Sequence, residues 1–228
     1  MVTPFPVKNF DLTHLTTEAL AILKRVYKTW SPCLRQVLEY NPREKRIKCL
    51  MHLPHGDYCY TKRRPPNITC IQHEHGLAQL CLFFFYFLVR DGVVDLWKEF
   101  SEKDVEFFVK NFLSWHEKRQ LKKINEKEVN YFLSVKMAEV LINFYALFDE
   151  KQVIQFKRKL KFDEDYILEA RLIRQYYSKR SRGKIPGLIF RVEGKNCQGK
   201  SALLVKIYNV AQITILQSPK SAVQKQLE

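Results

Sequence analysis

The sequence has no apolar run long enough to cross a membrane. Its most apolar stretch, Leu80 to Val89 in "LCLFFFYFLV", has ten residues, whereas a spanning helix needs about 20. The first residues, "MVTPFPVKNF", lack the basic start and apolar core of a secretory signal. We therefore expect no membrane partner. We also expect the 6 cysteines to be reduced and to serve packing or metal binding rather than disulfides.

Acidic residues are scarce relative to basic ones. The chain has 228 residues, with 24 Asp and Glu against 39 Lys and Arg, and its formal net charge is +15. Such a surplus favours anionic partners: nucleic acid, acidic proteins or anionic lipid. A hydrophobic content of 46%, with 16 Phe and 11 Tyr, indicates a folded globular chain. Neither an internal repeat nor a low-complexity segment is present.

Hydrophobic periodicity predicts the elements of the first half of the chain. Residues 15–30 are predicted as a helix capped by Thr16 or Thr17. The stretches "CLRQVLEY" and "RIKCLMHL" flank "NPREK" and predict a β-hairpin. Residues 55–70 are predicted as a loop, and the apolar segment 77–89 as a buried helix or strand. A helix after Ser101 is predicted to carry four residues on one face, Val105, Phe108, Phe112 and Trp115.

The second half of the chain alternates more strongly between apolar and polar residues. The stretch "VIQFKRKLKF" predicts a half-buried strand, with "AEVLINFYALF" as its hairpin partner. Residues 164–178 are predicted as an amphipathic helix, and "GLIFRVEG" and "ALLVKIYNVAQITIL" as strands. The predicted fold class is α+β, with antiparallel hairpins packed against several amphipathic helices and one candidate zinc site. We expect an N-terminal region over 1–115, a basic linker or loop over 116–128 and a β-rich region over 129–228, or one domain that includes all three.

The stretch "EGKNCQGKSALL" contains the complete G-x-x-x-x-G-K-S spacing of a phosphate-binding loop. Gly194, Gly199, Lys200 and Ser201 hold the motif positions. Such a loop needs a following helix and the rest of a parallel sheet, including an acidic strand end that holds Mg²⁺. The residues after Ser201 are rich in β-branched side chains and contain no such strand. The prediction is a hairpin with the loop "GKNCQGK", and a nucleotide site remains an alternative.

Cysteine and histidine are concentrated between residues 49 and 75. Zinc takes four nitrogen or sulfur ligands in a structural site, and an irregular loop gains stability from such a clip. No C-x2-C pair is present, and more than four residues compete for the four positions. The candidate ligands are Cys49, His52, His55, Cys59, Cys70 and His73. The alternative interpretations are scattered packing residues or, less favoured, a cysteine nucleophile paired with a histidine.

Several blocks, read in order, resemble the adenovirus early-region-4 34K protein family. The resemblance covers about residues 10–165 and weakens in the C-terminal third. It is carried by His52 or His55 with Cys59, and by the blocks "FDLTHLTTEALAILKR" (10–25), "PNITCI" (66–71), "LVRDGVVD" (88–95), "KEVNYF" (127–132) and "QVIQFKRKLKFDED" (152–165).

The resemblance implies a viral early regulatory adaptor in the host nucleus and cytoplasm, and not an enzyme. It would recruit a host cullin-RING ubiquitin ligase through elongin B and C. With a second viral early protein, it would present host antiviral or DNA-damage proteins for degradation and favour late viral mRNA export. Leu77, Cys81 and Phe85 have the spacing of the short helix by which such adaptors bind elongin C.

Two other functions remain open from the residues alone. The first is RNA or DNA binding through basic runs that also resemble nuclear-targeting signals, Lys62, Arg63, Arg64, Lys179, Arg180 and Arg182. The second is a nucleotide-binding protein that uses Lys200.

Overall fold

A computed structural model describes most of the chain, and the elements below belong to that part. The described residues are 11–27, 32–53, 70–94, 102–143, 147–158, 160–161, 163–178 and 185–211. The helices are α1 (Leu12–Val26), α2 (Cys70–Arg90), α3 (Glu102–Phe112), α4 (Trp115–Leu121) and α5 (Glu126–Asn143). The strands are β1 (Leu34–Asn41), β2 (Arg46–His52), β3 (Leu147–Phe156), β4 (Asp165–Ser178), β5 (Ile185–Lys195) and β6 (Ser201–Ala211).

The six strands form one antiparallel sheet in the order β1-β2-β4-β5-β6-β3. Two strands precede the long helix α2, and four follow it. Strand β3 comes first among those four, yet it pairs with β6, the last one, and takes an edge of the sheet. Strands from the predicted N-terminal and C-terminal regions therefore share one sheet.

Along β2, β4, β5 and β6, one face of the sheet is buried, and the other is exposed or half-buried. On β2, Ile47, Cys49 and Met51 are fully buried, while the residues between them are half-buried. Strands β4, β5 and β6 alternate in the same way, as expected when successive side chains point to opposite faces. We call the buried side the inner face and the opposite side the outer face.

Helix α2 lies on the inner face. The Phe84 ring packs against Phe190 of β5 at 5.5 Å between centroids, and the Phe87 ring against Tyr40 of β1 at 5.6 Å. Every residue from Leu80 to Val89 is buried. A helix that is apolar on all sides needs cover on all sides, and α1 and α5 supply it by packing against α2. Within the described ranges, no helix is long and apolar enough to span a membrane.

Helix α1 starts earlier than the sequence predicts. Its N-cap is Asp11, whose Oδ1 accepts hydrogen bonds from the backbone N–H of Thr13 at 2.9 Å and of His14 at 3.3 Å. The predicted cap Thr16 lies inside the helix instead. Its hydroxyl donates to the Leu12 carbonyl at 2.7 Å and accepts from the Val37 N–H at 2.9 Å. This side chain therefore links α1 to β1 rather than capping the helix.

The coarse fold class is confirmed: the chain is α+β, with antiparallel strands and several helices. The β1–β2 hairpin pairs as predicted, from Asn41↔Arg46 to Leu34↔Met51. The hairpin at 185–211 is also confirmed.

Three local predictions are wrong. Residues 165–178 form strand β4 and not an amphipathic helix, because Tyr166, Leu168, Ala170 and Leu172 are buried at a period of two. The stretch "AEVLINFYALF" is not the hairpin partner of β3, since most of it belongs to α5. The predicted apolar face after Ser101 does not extend to Trp115, whose side chain is 64% exposed at the start of α4.

Residues 116–128, predicted as a linker or loop, contain most of α4 and the start of α5. Helix α4 begins with a capping box, in which Ser114 and Glu117 each bind the other's backbone N–H. The division into two regions at this segment stays a prediction.

A charged cluster joins the C-terminal end of α2 to α1 and β1. The Arg90 guanidinium donates to Asp91 at 2.8 Å and to Glu18 of α1. The Tyr40 hydroxyl of β1 donates to the other oxygen of Asp91 at 2.6 Å. Burial raises the pKa of Glu18, which Arg90 partly offsets, and burial together with Asp91 raises the pKa of Tyr40. The mostly buried Arg90 guanidinium therefore neutralises two carboxylates, those of Asp91 and Glu18.

We predict that Arg90→Met lowers the free energy of unfolding by about 3 kcal/mol, because it leaves two carboxylates without their cation. Urea denaturation measures this loss. The control is Arg35→Met at an exposed position of β1, which should change stability by less than about 0.5 kcal/mol. Equal effects of the two substitutions would contradict a role for the cluster.

A second ion pair connects α4 to α5. Lys136 Nζ lies 2.8 Å from Glu117 Oε1 and 3.0 Å from Glu139 Oε2. The hydrogen bond from Lys136, together with those from Ser114, lowers the pKa of Glu117 to about 2. Because the pKa is lowered in the folded chain, the pair stabilises it above the ordinary carboxyl pKa. That stabilisation is lost as the pH falls towards 2.

We predict that Glu117→Gln removes part of the acid sensitivity of the fold. Above about pH 5 the variant should be roughly 1 kcal/mol less stable than the parent chain, and the difference should shrink as the pH approaches 2. Denaturation curves over this pH range measure the convergence. Glu102→Gln, at an exposed position of α3, is the control, and a pH-independent difference for Glu117→Gln would refute the assignment.

Candidate functional site

The N-terminal half of α2 lies over the ends of β1, β2 and β4. The helix comes close to the strands at Gly76, because a Cβ added there would lie 2.8 Å from the Tyr166 hydroxyl and 4.0 Å from Met51 Cε. Tyr166 is among the largest fully buried side chains of the described residues. The lack of a side chain at Gly76 therefore allows α2 to pack closely against Tyr166 of β4.

Gln79 is the buried polar side chain of this region, with 0% exposure. Its Oε1 accepts a hydrogen bond from the Cys33 backbone N–H at 2.7 Å. The Cys33 carbonyl accepts from the His52 N–H at 2.7 Å, so Cys33 connects α2 to the end of β2. Among the described residues, Gln79 Nε2 has no hydrogen-bond partner. An unmet buried donor costs about 1 to 3 kcal/mol, so this amide requires an explanation.

His75 lies one helical turn before Gln79. Residues four apart share a side of a helix, so His75 and Gln79 face the same way from α2. His75 is half-buried and Gln79 fully buried. The pair thus combines a group able to take up a proton with an amide donor.

A second histidine lies at the end of β2. His52 Nδ1 is 2.9 Å from Asp165 Oδ1 at the start of β4, and these two residues are direct partners across the strands. His52 follows the buried Met51 in the alternation of β2 and so points to the outer face. We assign this pair to the strand ends rather than to the group around Gln79.

Neither Gln79 nor Tyr166 was predicted as a site residue from the sequence. The signal available for Gln79 was its position inside the apolar segment 77–89, where an amide side chain is unusual. No sequence signal identified Tyr166, because its segment was predicted as a helix.

The predicted nucleotide alternative is wrong. Gly194 lies within β5, where an added Cβ would meet Leu203 and Leu168 at 2.9 and 3.2 Å. Gly199 occupies the turn with φ +73°, and Ser201 begins β6. The turn is closed by Asn196 N–H to the Lys200 carbonyl at 3.0 Å. The G-x-x-x-x-G-K-S residues therefore form a hairpin turn. A strand, β6, follows this turn, whereas a phosphate-binding loop is followed by a helix.

The six predicted zinc ligands are only partly within the described residues. Cys49 is fully buried on the inner face, where burial raises the pKa of its thiol. His52 points to the outer face and contacts Asp165, so the structure does not bring these two together. His55 and Cys59 lie outside the described residues, as do the side chains of Cys70 and His73. Among the residues that are described, no three His, Cys, Asp or Glu side chains form a metal-binding group, and the zinc site stays a prediction.

The predicted elongin-binding residues are core residues. Leu77, Cys81 and Phe85 are exposed by 0%, 2% and 1%, within a helix covered by the sheet, α1 and α5. A groove on a partner could reach them only if the core opened. The basic runs at 62–64 and 179–182 lie outside the described residues, so nuclear targeting and the host-nuclear location stay predictions.

The chain matches 134 chains of solved structures, three of which illustrate how low the similarity is. No family model and no curated protein matches the chain. Zebrafish thioesterase superfamily member 2 matches at 11% identity, over 89% of this chain and 99% of its own, with a TM-score of 0.44. The Escherichia coli PaaI protein of the phenylacetic acid degradation operon matches at 11% identity, over 87% and 93%, with a TM-score of 0.40. A mutant thioesterase from Pseudomonas aeruginosa matches at 8% identity, over 90% and 96%, with a TM-score of 0.44.

These findings correct the resemblance. The chain matches no family model, and the solved structures that it matches are named mainly as thioesterases rather than early-region-4 34K proteins. The predictions that followed from the resemblance are therefore wrong: a viral ubiquitin-ligase adaptor, elongin, cullin and viral partners, and a non-enzyme. The nucleic-acid alternative has no support from the same structures. At TM-scores below 0.5, the likeness itself assigns no activity to this chain.

We predict that Gly76→Ala destabilises the fold by about 1 to 3 kcal/mol, because the new methyl group would overlap the Tyr166 hydroxyl. The double variant Gly76→Ala/Tyr166→Phe, which lacks that hydroxyl, should recover most of the loss. Thermal or urea denaturation of the two single variants and the double variant measures the coupling. Strictly additive losses would show that the two residues do not meet.

Proposed function

We propose that the chain is an enzyme that hydrolyses an acyl thioester at the N-terminal half of α2. The observation that carries the proposal is Gln79, a fully buried amide whose Nε2 has no partner among the described residues. Its Oε1 is held by the Cys33 N–H at 2.7 Å. The side chain is thus fixed at Oε1, while Nε2 is an unpaired donor that a ligand carbonyl would satisfy.

In the proposed hydrolysis, His75 would transfer the proton and Gln79 would stabilise the oxyanion. Water attacks the carbonyl carbon of the thioester, and His75 takes up the proton that the water releases. The Gln79 amide donates to the carbonyl oxygen while negative charge develops there, as in an oxyanion hole. The carbon–sulfur bond then breaks, His75 returns the proton to the departing thiolate, and the products are a carboxylic acid and a thiol.

The composition of the chain suits such a substrate. The inner face and α2 provide apolar side chains for an acyl chain. The net charge of +15 attracts the phosphates of an acyl-coenzyme A. The names of the matched structures suggest thioesters as the compounds to test, but their TM-scores lend the proposal no weight.

We further propose that the architecture is of the hotdog type, in which a long helix packs on one face of an antiparallel sheet. Support comes from the strand order and from α2, which stands between β2 and β3 and is buried against the inner face. Helices α3, α4 and α5 then form an insertion between the central helix and the next strand.

The test is release of free coenzyme A from acetyl- to palmitoyl-coenzyme A by the full-length chain, measured by liquid chromatography. Gln79→Met should lower kcat by about 100-fold, since one oxyanion donor is lost. His75→Ala should lower kcat by about 100-fold, since the proton acceptor is lost.

Matched controls lie on α4, where Gln120 and His116 are exposed. Gln120→Met and His116→Ala should leave kcat unchanged. Melting temperatures of all four variants separate a loss of activity from a loss of folding. The proposal fails if no thioester in the series is hydrolysed above the rate without protein, or if folded Gln79→Met is as active as the parent chain.

A further inference from the structure

The outer face of the sheet carries a row of cations at directly opposed positions on four neighbouring strands. Arg46 of β2 pairs with Arg171 of β4, Arg171 with Arg191 of β5, and Arg191 with Lys206 of β6. Neighbouring strands are about 4.8 Å apart, so the row extends over roughly 14 Å. We call these four residues the cation row.

The cation row is balanced at only one end. Arg46 contacts Glu39, Glu44 and Glu169, and Arg171 contacts Glu44 at 3.7 Å. For Arg191 and Lys206, no carboxylate lies within salt-bridge distance among the described residues, and both side chains are exposed. Like charges directly opposed on a sheet are destabilising. The β5–β6 half of the row therefore lacks the counter-charge that the β2–β4 half has.

Exposed aliphatic side chains adjoin the row at both sides. Val153 of β3 is the direct partner of Lys206 and is 51% exposed. Ile173 lies two residues beyond Arg171 on β4 and is 52% exposed. Arg174 follows it, also exposed, and adds a further cation. The face thus combines a line of positive charge with aliphatic groups at its margins.

We propose that the outer face binds the surface of an anionic phospholipid bilayer, a peripheral contact that differs from the sequence expectation of no membrane partner and needs no spanning helix. Cations attract anionic headgroups, and aliphatic side chains beside them enter the interfacial region. A second copy of the chain does not fit this face, because two such rows would repel each other. RNA fits less well, since the Tyr208 ring on this face is half-buried and already lies 5.2 Å from the Lys206 ammonium. The most exposed apolar side chains beside the row are Ile173 and Val153, which are not rings on which bases stack.

The test is co-sedimentation of the full-length chain with vesicles of phosphatidylcholine alone or with about 30 mol% phosphatidylserine. Binding is expected only to the anionic vesicles, and it should weaken about tenfold between roughly 0.1 M and 0.5 M salt. Arg191→Glu/Lys206→Glu should reduce the partition coefficient at least about tenfold. Arg191→Gln/Lys206→Gln should give an intermediate value.

The matched control is Lys24→Glu/Arg25→Glu, which makes the same change in charge at exposed positions of α1 in the helical layer. It should bind nearly as well as the parent chain. Circular dichroism verifies that each variant is folded, and the glutamine variant carries the test if the glutamate variant unfolds.

Four results would overturn the proposal. They are equal binding to neutral vesicles, no binding to either vesicle, an equal loss in the α1 control, and tighter binding of a single-stranded RNA homopolymer than of anionic vesicles in the same buffer.

Discussion

The burial of α2 on every side is the constraint on which the rest of the structure depends. A helix with eleven consecutive buried residues from Gln79 to Val89, four of them phenylalanines (Phe83, Phe84, Phe85 and Phe87), leaves no side exposed to water along that length. The inner face of the sheet covers one side, and α1 and α5 cover the other. Each of these partners needs an apolar face of its own, which explains the period-two burial of the strands. It also explains why α1 buries Leu15, Ala19, Ile22, Leu23 and Val26 at helical spacing.

The two polar features of α2, Gln79 in the middle of the helix and Arg90 at its C-terminal end, act differently. At the C-terminal end, Arg90 meets its carboxylates, so the charge is compensated. In the middle of the helix, Gln79 has one satisfied oxygen and one unsatisfied nitrogen among the described residues. An apolar helix tolerates a buried polar group when it is paired. The contrast between the two residues makes the surroundings of Gln79, and not those of Arg90, the place where a ligand would complete the hydrogen bonding.

The sequence predicted those parts of the fold that depend on local patterns. The turn residues "NPREK" and the glycines around "KNCQGK" identified both hairpins. The wrong prediction of a helix at 164–178 arose because the apolar residues there fit both the helical and the strand period. In "EDYILEARLIRQYYS", apolar residues fit both a helical stripe and a strand, and the long-range pairing of β4 with β2 and β5 decided for the strand. The site was less predictable, because α2 meets Cys33 and Tyr166 there, two residues that are distant from Gly76 and Gln79 in sequence. The nucleotide alternative also depended on structure outside the motif, because G-x-x-x-x-G-K-S forms a phosphate-binding loop only when a helix follows it.

The pairing of β3 with the last strand affects the order in which the sheet can form during synthesis. Residues 147–156 leave the ribosome before their partners at 201–211 exist, so β3 must wait for about 50 residues of synthesis before it can pair. Strands β4 and β5 can already pair with β2 and with each other during that interval. When β6 has been synthesised, it can pair with β5 on one side and with β3 on the other. A nascent chain stalled before residue 201 would present β3 as an unpaired strand, the kind of segment that chaperones recognise and that aggregates when they are scarce.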